Sequence, residues 1–444
     1  NKVKSHLLFF QLFSCVVQNT SMIEIQRIKE NRAEVIAGLK KRGLDSEKDI
    51  EKILIVDQQW RDAKTELQET SANLNTISKE VGKLFGSGER NQAEALKTQS
   101  VELKKQEVSQ KARVEELQVQ LSKAIMALPN ILRPEVPSGK DAEDNELIFE
   151  SGSSPTSESA PKAHWDLAKE YQLIDFELGV KVTGAGFPFY RGKGAKLQRA
   201  LISFFLDEAS NAGYEEFSSP LMVNEESGIG TGQLPDKEGM MYHVGEDDLY
   251  LIPTAEVPLT NMYRNTLLPN DDFSIKITGH TPCFRREAGS YGKDVRGLNR
   301  LHQFEKVEIV RIEKPENVES ALKEMLDHVK SLLEKLGLQY RILKLCGGDT
   351  GFAASITYDF EVYSAGQDKW LEVSSVSRFD TFQSNRLKLR YKDENKKSKL
   401  CHTLNGSALA LPRIVAALLE NNQSTQGIKI PEPLVPYTGF KIIN

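Results

Sequence analysis

A chain of 444 residues, 39% hydrophobic and 27% charged, is long enough for about two or three domains with a sizeable core, which excludes a disordered or low-complexity protein. A formal net charge of −5 excludes a global basic field, so any contact with nucleic acid must rest on local patches. The four widely separated cysteines, Cys15, Cys283, Cys346 and Cys401, exclude a disulfide framework and fit a reducing, cytoplasmic setting.

Residues 1–21 contain an apolar run, Leu7 to Val17, too short to span a bilayer and followed by no small-residue cleavage site, so no membrane association is expected. Met22 opens a charged helical sequence, and residues 1–21 are expected to be an extension outside the functional protein. A targeting peptide is the alternative, against which stand the few arginines and the lack of an amphipathic pattern.

From Asp49 onward Ile53, Trp60, Leu67, Leu74 and Val81 recur every seven residues, with Val56, Ala63, Thr70, Ile77 and Leu84 between them. The run stops at Gly86-Ser87-Gly88. A looser seam follows through Leu96, Leu103, Leu117 and Ala124, with Val114, Leu121 and Leu128 beside it, and Pro129 ends it. The spacing predicts an N-terminal helical domain over 22–129 whose residues 49–128 form an antiparallel coiled-coil hairpin, each helix about 55 Å long. The base of the hairpin (49–69 with 114–128) carries eight acidic and four basic residues, the outer half (70–113) five acidic and eight basic. Such charge suits either a solvated coiled-coil surface or a phosphate backbone.

Residues 130–162 are polar and rich in Pro, Ser and Gly, and read as a linker. The second domain, residues 163–444, opens at His164-Trp165-Asp166-Leu167. An amphipathic helix is predicted over Gly192 to Ala212, and a strand over Glu216 to Val223 that carries Pro220. The glycines at 228, 230 and 232 and at 192 and 194 match neither a dinucleotide-binding fingerprint nor a phosphate-binding P-loop. A bound nucleotide would therefore have to be held by side chains on a sheet.

Thr281 to Val310 reads as a long β-hairpin with a polar, Gly-rich loop. Strict alternation puts Arg285 and Glu287 on one face, and likewise Phe304, Lys306 and Glu308, where a half-buried strand would carry aliphatic residues. Cross-strand salt bridges on an exposed hairpin would account for this pattern. A nucleotide would also use it: guanidinium for phosphate or carboxylate, carboxylate for an amino group, aromatic face for a base. Upstream, Thr254 and Glu256 stand two apart at a strand end. Glu308 either joins them or pairs with Lys306 or Arg311.

Thr357 to Tyr363 and Trp370 to Ser375 read as paired strands, the second bearing Glu372 and Ser375, oxygen donors suited to a hard cation beside polyphosphate. Asp359 and Glu361 share a face, as further donors or as structural carboxylates. Pro412 starts a helix and puts Arg413 in its first turn, where a cation opposes the helix dipole and is better explained by an anion.

The run Phe284-Arg285-x-Glu287, then Arg296-Gly-Leu-x-Arg300 and His302-Gln-Phe304-x-Lys306-Val-Glu308, closely resembles motif 2 of the class II aminoacyl-tRNA synthetases, in the form found in seryl-tRNA synthetases. Pro220 resembles the proline of motif 1, and Leu404 to Arg413 resembles motif 3, so that the likeness runs from Met22 to the C-terminus. It implies an α+β protein: an N-terminal antiparallel helical coiled-coil hairpin arm plus a class II synthetase-like domain with an antiparallel β-sheet flanked by helices. The implied activity is ATP-dependent activation of L-serine and its transfer to tRNA(Ser), gripped by the arm, with tRNA(Sec) a second candidate acceptor, in a homodimer joined near Pro220. The implied catalytic residues are Arg285, Glu287 and Arg413. Serine falls to Thr254, Ala255, Glu256, Arg285, Glu308 and Ser407. ATP falls to Arg285, Arg286, Glu287, Arg300, Phe304, Glu372, Val373, Ser374, Ser375 and Arg413, with Mg²⁺ on Glu372 and Ser375. Leu411-Pro412 and Arg378 depart from the family's usual small residues. The rivals are a class II paralogue that activates another small amino acid or charges no tRNA, and a non-enzymatic coiled-coil scaffold.

Overall fold

A computed structural model describes residues 25–152, 160–236, 239–269, 273–288 and 296–444. The extension at 1–21 with Cys15, part of the linker and the tip of the 281–310 hairpin lie outside the described residues. The chain divides into two compact units, one of residues 25–37 with Asp45–Pro129, the other of Gly38–Leu44 with Asn130–Asn444.

In the first unit, short helices α1 (Ile25–Glu30) and α2 (Arg32–Lys40, whose last residues belong to the second unit) precede α3 (Glu47–Ser87) and α4 (Arg90–Met126), which pair along their lengths. The α3 seam is the predicted one: Ile53, Ala63, Thr70 and Leu74 are buried, and Val56, Trp60, Leu67, Ile77, Val81 and Leu84 are half-buried. Gly88, at φ 82°, closes α3 in a left-handed conformation that a side chain would oppose, which makes the tight turn. On α4 the seam continues unbroken through Ser100, Glu107 and Gln110, each half-buried. Its looseness is one of composition, not of periodicity. Ser71 of α3 donates to Glu107 at 2.7 Å across the seam.

The second unit is built on one eight-stranded sheet. Its strands are β1 (Glu146–Glu150), β2 (Glu215–Glu216), β3 (Ser274–Phe284), β4 (Gln303–Glu313), β5 (Tyr340–Lys344), β6 (Ile356–Ser364), β7 (Lys369–Asp380) and β8 (His402–Ala410). They lie in the order β1-β5-β6-β7-β8-β4-β3-β2, antiparallel at every pairing except β2 with β3. Alternation sorts the strands into two faces. Val307, Ile309, Phe360, Val376 and Leu404 face a core shared with helices α5 (Gly192–Asn211), α7 (Val318–Lys335) and α9 (Leu411–Asn421). The opposite face of β4, β7 and β8 carries Phe304, Lys306, Glu308, Glu372, Ser375, Asn405 and Ser407.

Two expectations need correction. Glu216 to Val223 is not one strand: β2 and a separate strand Met222–Val223 flank Ser219-Pro220, because proline has no N–H to give a ladder. Residues 130–152 of the expected linker are structured as well. The buried Asn130 amide donates to the carbonyls of Ala353 and Phe379 at 2.9 and 2.8 Å, and β1 forms a sheet edge. Arg378 is buried away from the polar face in ion pairs with Asp380 and Glu319. Among the described residues, no helix is long and apolar enough to cross a membrane.

Candidate active site

The polar sheet face opens into a cavity of about 650 Å³. Strand β4 enters it with Phe304, Lys306 and Glu308 at every second position, and β7 and β8 add Glu372 to Ser375 and Ser407 beside them. Helix α6 (Glu256–Asn261) begins at the cavity wall, so Thr254 and Glu256 come from the turn into a helix. Helix α8 (Phe382–Arg386) lies behind them and reaches Glu256 through Gln383.

At one end the groups form a tight polar knot. Thr254 donates to Glu308 at 3.1 Å and accepts from Lys306 at 3.0 Å, while Lys306 also pairs with Glu308. Glu256 accepts from Gln383 of α8 at 2.6 Å. Burial first, and then the charge of Glu308, push the Glu256 carboxyl up from 4.5 to about 7. Lys306 and the more distant Arg285 both act on the two carboxylates, and the raised Glu256 carboxyl is the one that an arriving cation would ionise.

At the other end stand the groups suited to a nucleotide. The Arg285 guanidinium lies 5.2 Å from the centre of the Phe304 ring, and its Nε donates to the Pro253 carbonyl at 3.4 Å. Glu287 pairs with Arg300 at 2.9 Å. Arg413, in the first turn of α9, donates to the backbone carbonyl of Glu372 at 2.7 Å and to that of Asn299 at 3.2 Å. Asp359 is half-buried on the same sheet face, opposite Ser375 of β7, and its carboxyl is raised by desolvation and by the charge of Glu372.

Most of the expected residues therefore meet in one cavity: Thr254, Glu256, Arg285, Glu287, Arg300, Phe304, Glu308, Glu372 to Ser375, Ser407 and Arg413. Two do not line it. Ala255 is buried among Leu259, Ile277 and Val310, and Arg286 is exposed. Glu361 is engaged by Arg341. Glu287 reaches the cavity by a different route from the one expected. Its φ of 50° is outside the strand region, so a left-handed turn and Arg300, not alternation, aim it. Lys306 and Gln383 hold the knot together. Glu308 both joins Thr254 and pairs with Lys306, so the two alternatives open in the sequence hold at once, whereas Gln383 meets Glu256 across 127 residues and left no local signal.

Among the described residues no cluster of three or more His, Cys, Asp or Glu side chains could hold a metal ion alone. The oxygen donors present, Glu372 and Ser375 with the raised carboxyl of Asp359 behind them, fit a hard divalent cation that is carried partly by phosphate oxygens.

Comparison with known proteins agrees along about 95% of the chain. Residues 22–132 match the seryl-tRNA synthetase N-terminal domain, and residues 241–422 match the tRNA synthetase class II core domain (G, H, P, S and T). A serine–tRNA ligase of Salinibacter ruber is 48% identical over 421 residues, which cover 94% of this chain and 98% of that one. One from Akkermansia muciniphila is 46% identical, covering 95% and 99%. The crystal structure of seryl-tRNA synthetase from Pyrococcus horikoshii complexed with ATP superposes with a TM-score of 0.88 at 35% identity, covering 95% of this chain and 99% of that one.

Proposed function

The chain belongs to the seryl-tRNA synthetases, class II ligases that activate serine with ATP and esterify it to tRNA, and on that premise we propose how its own residues divide the work. The observation that carries the proposal is one cavity with a carboxylate-rich knot at one end and three arginines and an aromatic ring at the other. Serine enters with its ammonium toward Thr254, Glu256 and Glu308, and its hydroxyl toward Ser407. Its carboxylate then faces Arg285. A serine carboxylate oxygen attacks the α-phosphorus of ATP, the bond to the bridging oxygen breaks, and pyrophosphate leaves with that electron pair. Arg285 holds the attacking carboxylate and the α-phosphate together and stabilises the charge that develops, so the protein contributes position and electrostatics. Phe304 and Arg413 bracket the adenine, Glu287 accepts from its amino group, and Arg300 holds Glu287 in place.

Glu372 and Ser375 would hold Mg²⁺ together with the phosphates, and the cation would supply neutralising charge to the polyphosphate. In the second half-reaction the terminal ribose hydroxyl of tRNA attacks the seryl carbonyl and AMP leaves. The basic outer half of the α3–α4 hairpin supplies the phosphate contacts that hold that tRNA. The buried cysteines Cys283, Cys346 and Cys401 suit the reducing cytoplasm.

ATP–pyrophosphate exchange tests the substrate reading. Exchange should depend on serine and be far weaker with alanine, glycine or threonine, because alanine leaves buried polar groups unpaired and threonine exceeds the pocket. Equal exchange with another of these amino acids would overturn it. Leu221 and Met222, next to Pro220, expose 37% and 48% of their surface, which suits an isologous dimer interface there. Light scattering should give a dimer, and Leu221→Arg should shift it toward monomer; an active wild-type monomer would contradict this.

A further inference from the structure

Behind the nucleotide end of the cavity lies a completely buried polar cluster to which the reaction assigns no role. The side chains of His164 and Glu420 are both 0% exposed, and His164 Nδ1 lies 2.7 Å from a Glu420 carboxylate oxygen. That same oxygen accepts the His164 backbone N–H at 2.9 Å. The other accepts from the Ser364 hydroxyl and from the Gly366 N–H at 3.1 Å. A carboxylate on Nδ1 makes that nitrogen the donor, which leaves Nε2 as an acceptor. Nε2 accepts the backbone N–H of Leu298 at 2.8 Å.

The bonds leaving this cluster lead to the site. Gln367 donates to Glu420 at 3.0 Å and accepts from the Asn299 amide at 2.9 Å. The Asn299 carbonyl is the group that Arg413 Nε holds at 3.2 Å, and the next residue, Arg300, pairs with Glu287. Helix α9 thus meets the segment 298–299 from both ends, through Arg413 in its first turn and through Glu420 in its last. Close fit marks the same place: Gly297 has a φ of +66°, and a Cβ there would stand 2.2 Å from His164 Nε2. One residue before it, Arg296 lies 4.4 Å from the centre of the Trp165 ring. A buried carboxylate is an expensive way to fill a core that aliphatic residues would fill as well. Its use is better explained by direction than by stability.

We propose that His164 is a positioning residue for the nucleotide half of the site: by accepting the Leu298 N–H, with Glu420 fixing its tautomer, it sets the segment 298–300 on which Arg413 and the Glu287–Arg300 pair depend. Among the described residues the hydrogen bonds of the serine knot run to Thr254, Lys306, Glu308 and Gln383 and not to this cluster, so the two halves should respond differently. This inference rests on the assignment of ATP to the arginine end.

The test compares His164→Leu, Glu420→Gln and His164→Gln in the full chain, with pyrophosphate-exchange kinetics, calorimetric ATP binding without serine, and thermal melting. His164→Leu removes the acceptor, and Glu420→Gln keeps shape but misdirects the ring. Both should raise the ATP KM and Kd at least tenfold and leave the serine KM within twofold. His164→Gln can offer its amide oxygen to Leu298 N–H and should return ATP binding to within threefold of wild type. Equal changes in both KM values, a melting shift with unchanged kinetics, or a His164→Gln as impaired as His164→Leu would each overturn the proposal. So would failure of both His164→Leu and Glu420→Gln to fold, which makes the cluster purely structural. Wild-type exchange that ignores serine would sink the substrate reading alone, since the calorimetric ATP arm does not use serine.

Discussion

Glu256 is the carboxyl that the proposed serine ammonium would ionise, and its burial gives it a measurable signature. In the folded chain it holds its proton up to about pH 7, whereas the unfolded chain releases it near 4.5. Its favourable contribution to folding is therefore fully present below 4.5 and is lost as pH rises through about 7. Glu256→Gln escapes that loss, so its stability gain over wild type should be absent at pH 4.5 and reach on the order of 3 kcal/mol at pH 8 by denaturant titration. The same variant should lose serine activation. In the wild type an arriving ammonium selects ionised Glu256, so the serine KM should fall as pH rises from 6 to 8 while the ATP KM stays level. A serine KM flat with pH would remove Glu256 from the ammonium site. Arg285→Ala should abolish exchange in a protein that still melts cooperatively, and near-normal exchange would refute its assignment. At this scale the sequence was most informative on β4, where charged residues interrupt an alternation that packing would make apolar. It was least informative for Glu287, whose placement depends on a left-handed turn, and for Gln383, whose partner is remote.

Elements were legible where periodicity and burial coincide and obscure where they part. The α3 seam follows its heptads because each seam position is apolar or Thr. On α4 polar residues occupy seam positions, and Glu107 there is held by Ser71 and by Lys111 at 3.4 Å. A polar residue in a seam fixes register at a cost in stability. Glu107→Leu should stabilise the helical hairpin, seen as a higher helix-melting temperature by circular dichroism. An unchanged or lower temperature would show that the Ser71 bond outweighs the added apolar burial. Strand β1 was hidden for the opposite reason. All five of its residues are exposed, so no alternation marks it, and only its pairing with β5 makes it a strand. The broken strand about Pro220 follows from a missing N–H that the residue type itself announces.

For the molecule as a whole, the division into a helical hairpin and an antiparallel sheet could be read from the change of period along the chain. The strand order could not, because β4 lies between β3, its hairpin partner, and β8, which arrives about 90 residues later. The division has a functional consequence. Every residue assigned to adenylate formation lies from Thr254 onward in the second unit, and α3 and α4 close their seam against each other within the first. Serine activation should therefore not need the hairpin. Transfer to tRNA should need it, since the basic residues between 70 and 113 offer phosphate contacts whose loss lowers affinity without touching chemistry. Deleting Leu67 to Ala112 and rejoining the helices by a short turn separates the two. Exchange should stay within about threefold of wild type, while tRNA charging at limiting tRNA should fall by a hundredfold or more, on the order of 3 kcal/mol. The salt dependence of the remaining charging should weaken in parallel, because fewer counterions are displaced. Equal loss of exchange and charging in a folded variant would make the hairpin a support for the second unit, and undiminished charging would mean that tRNA is gripped elsewhere.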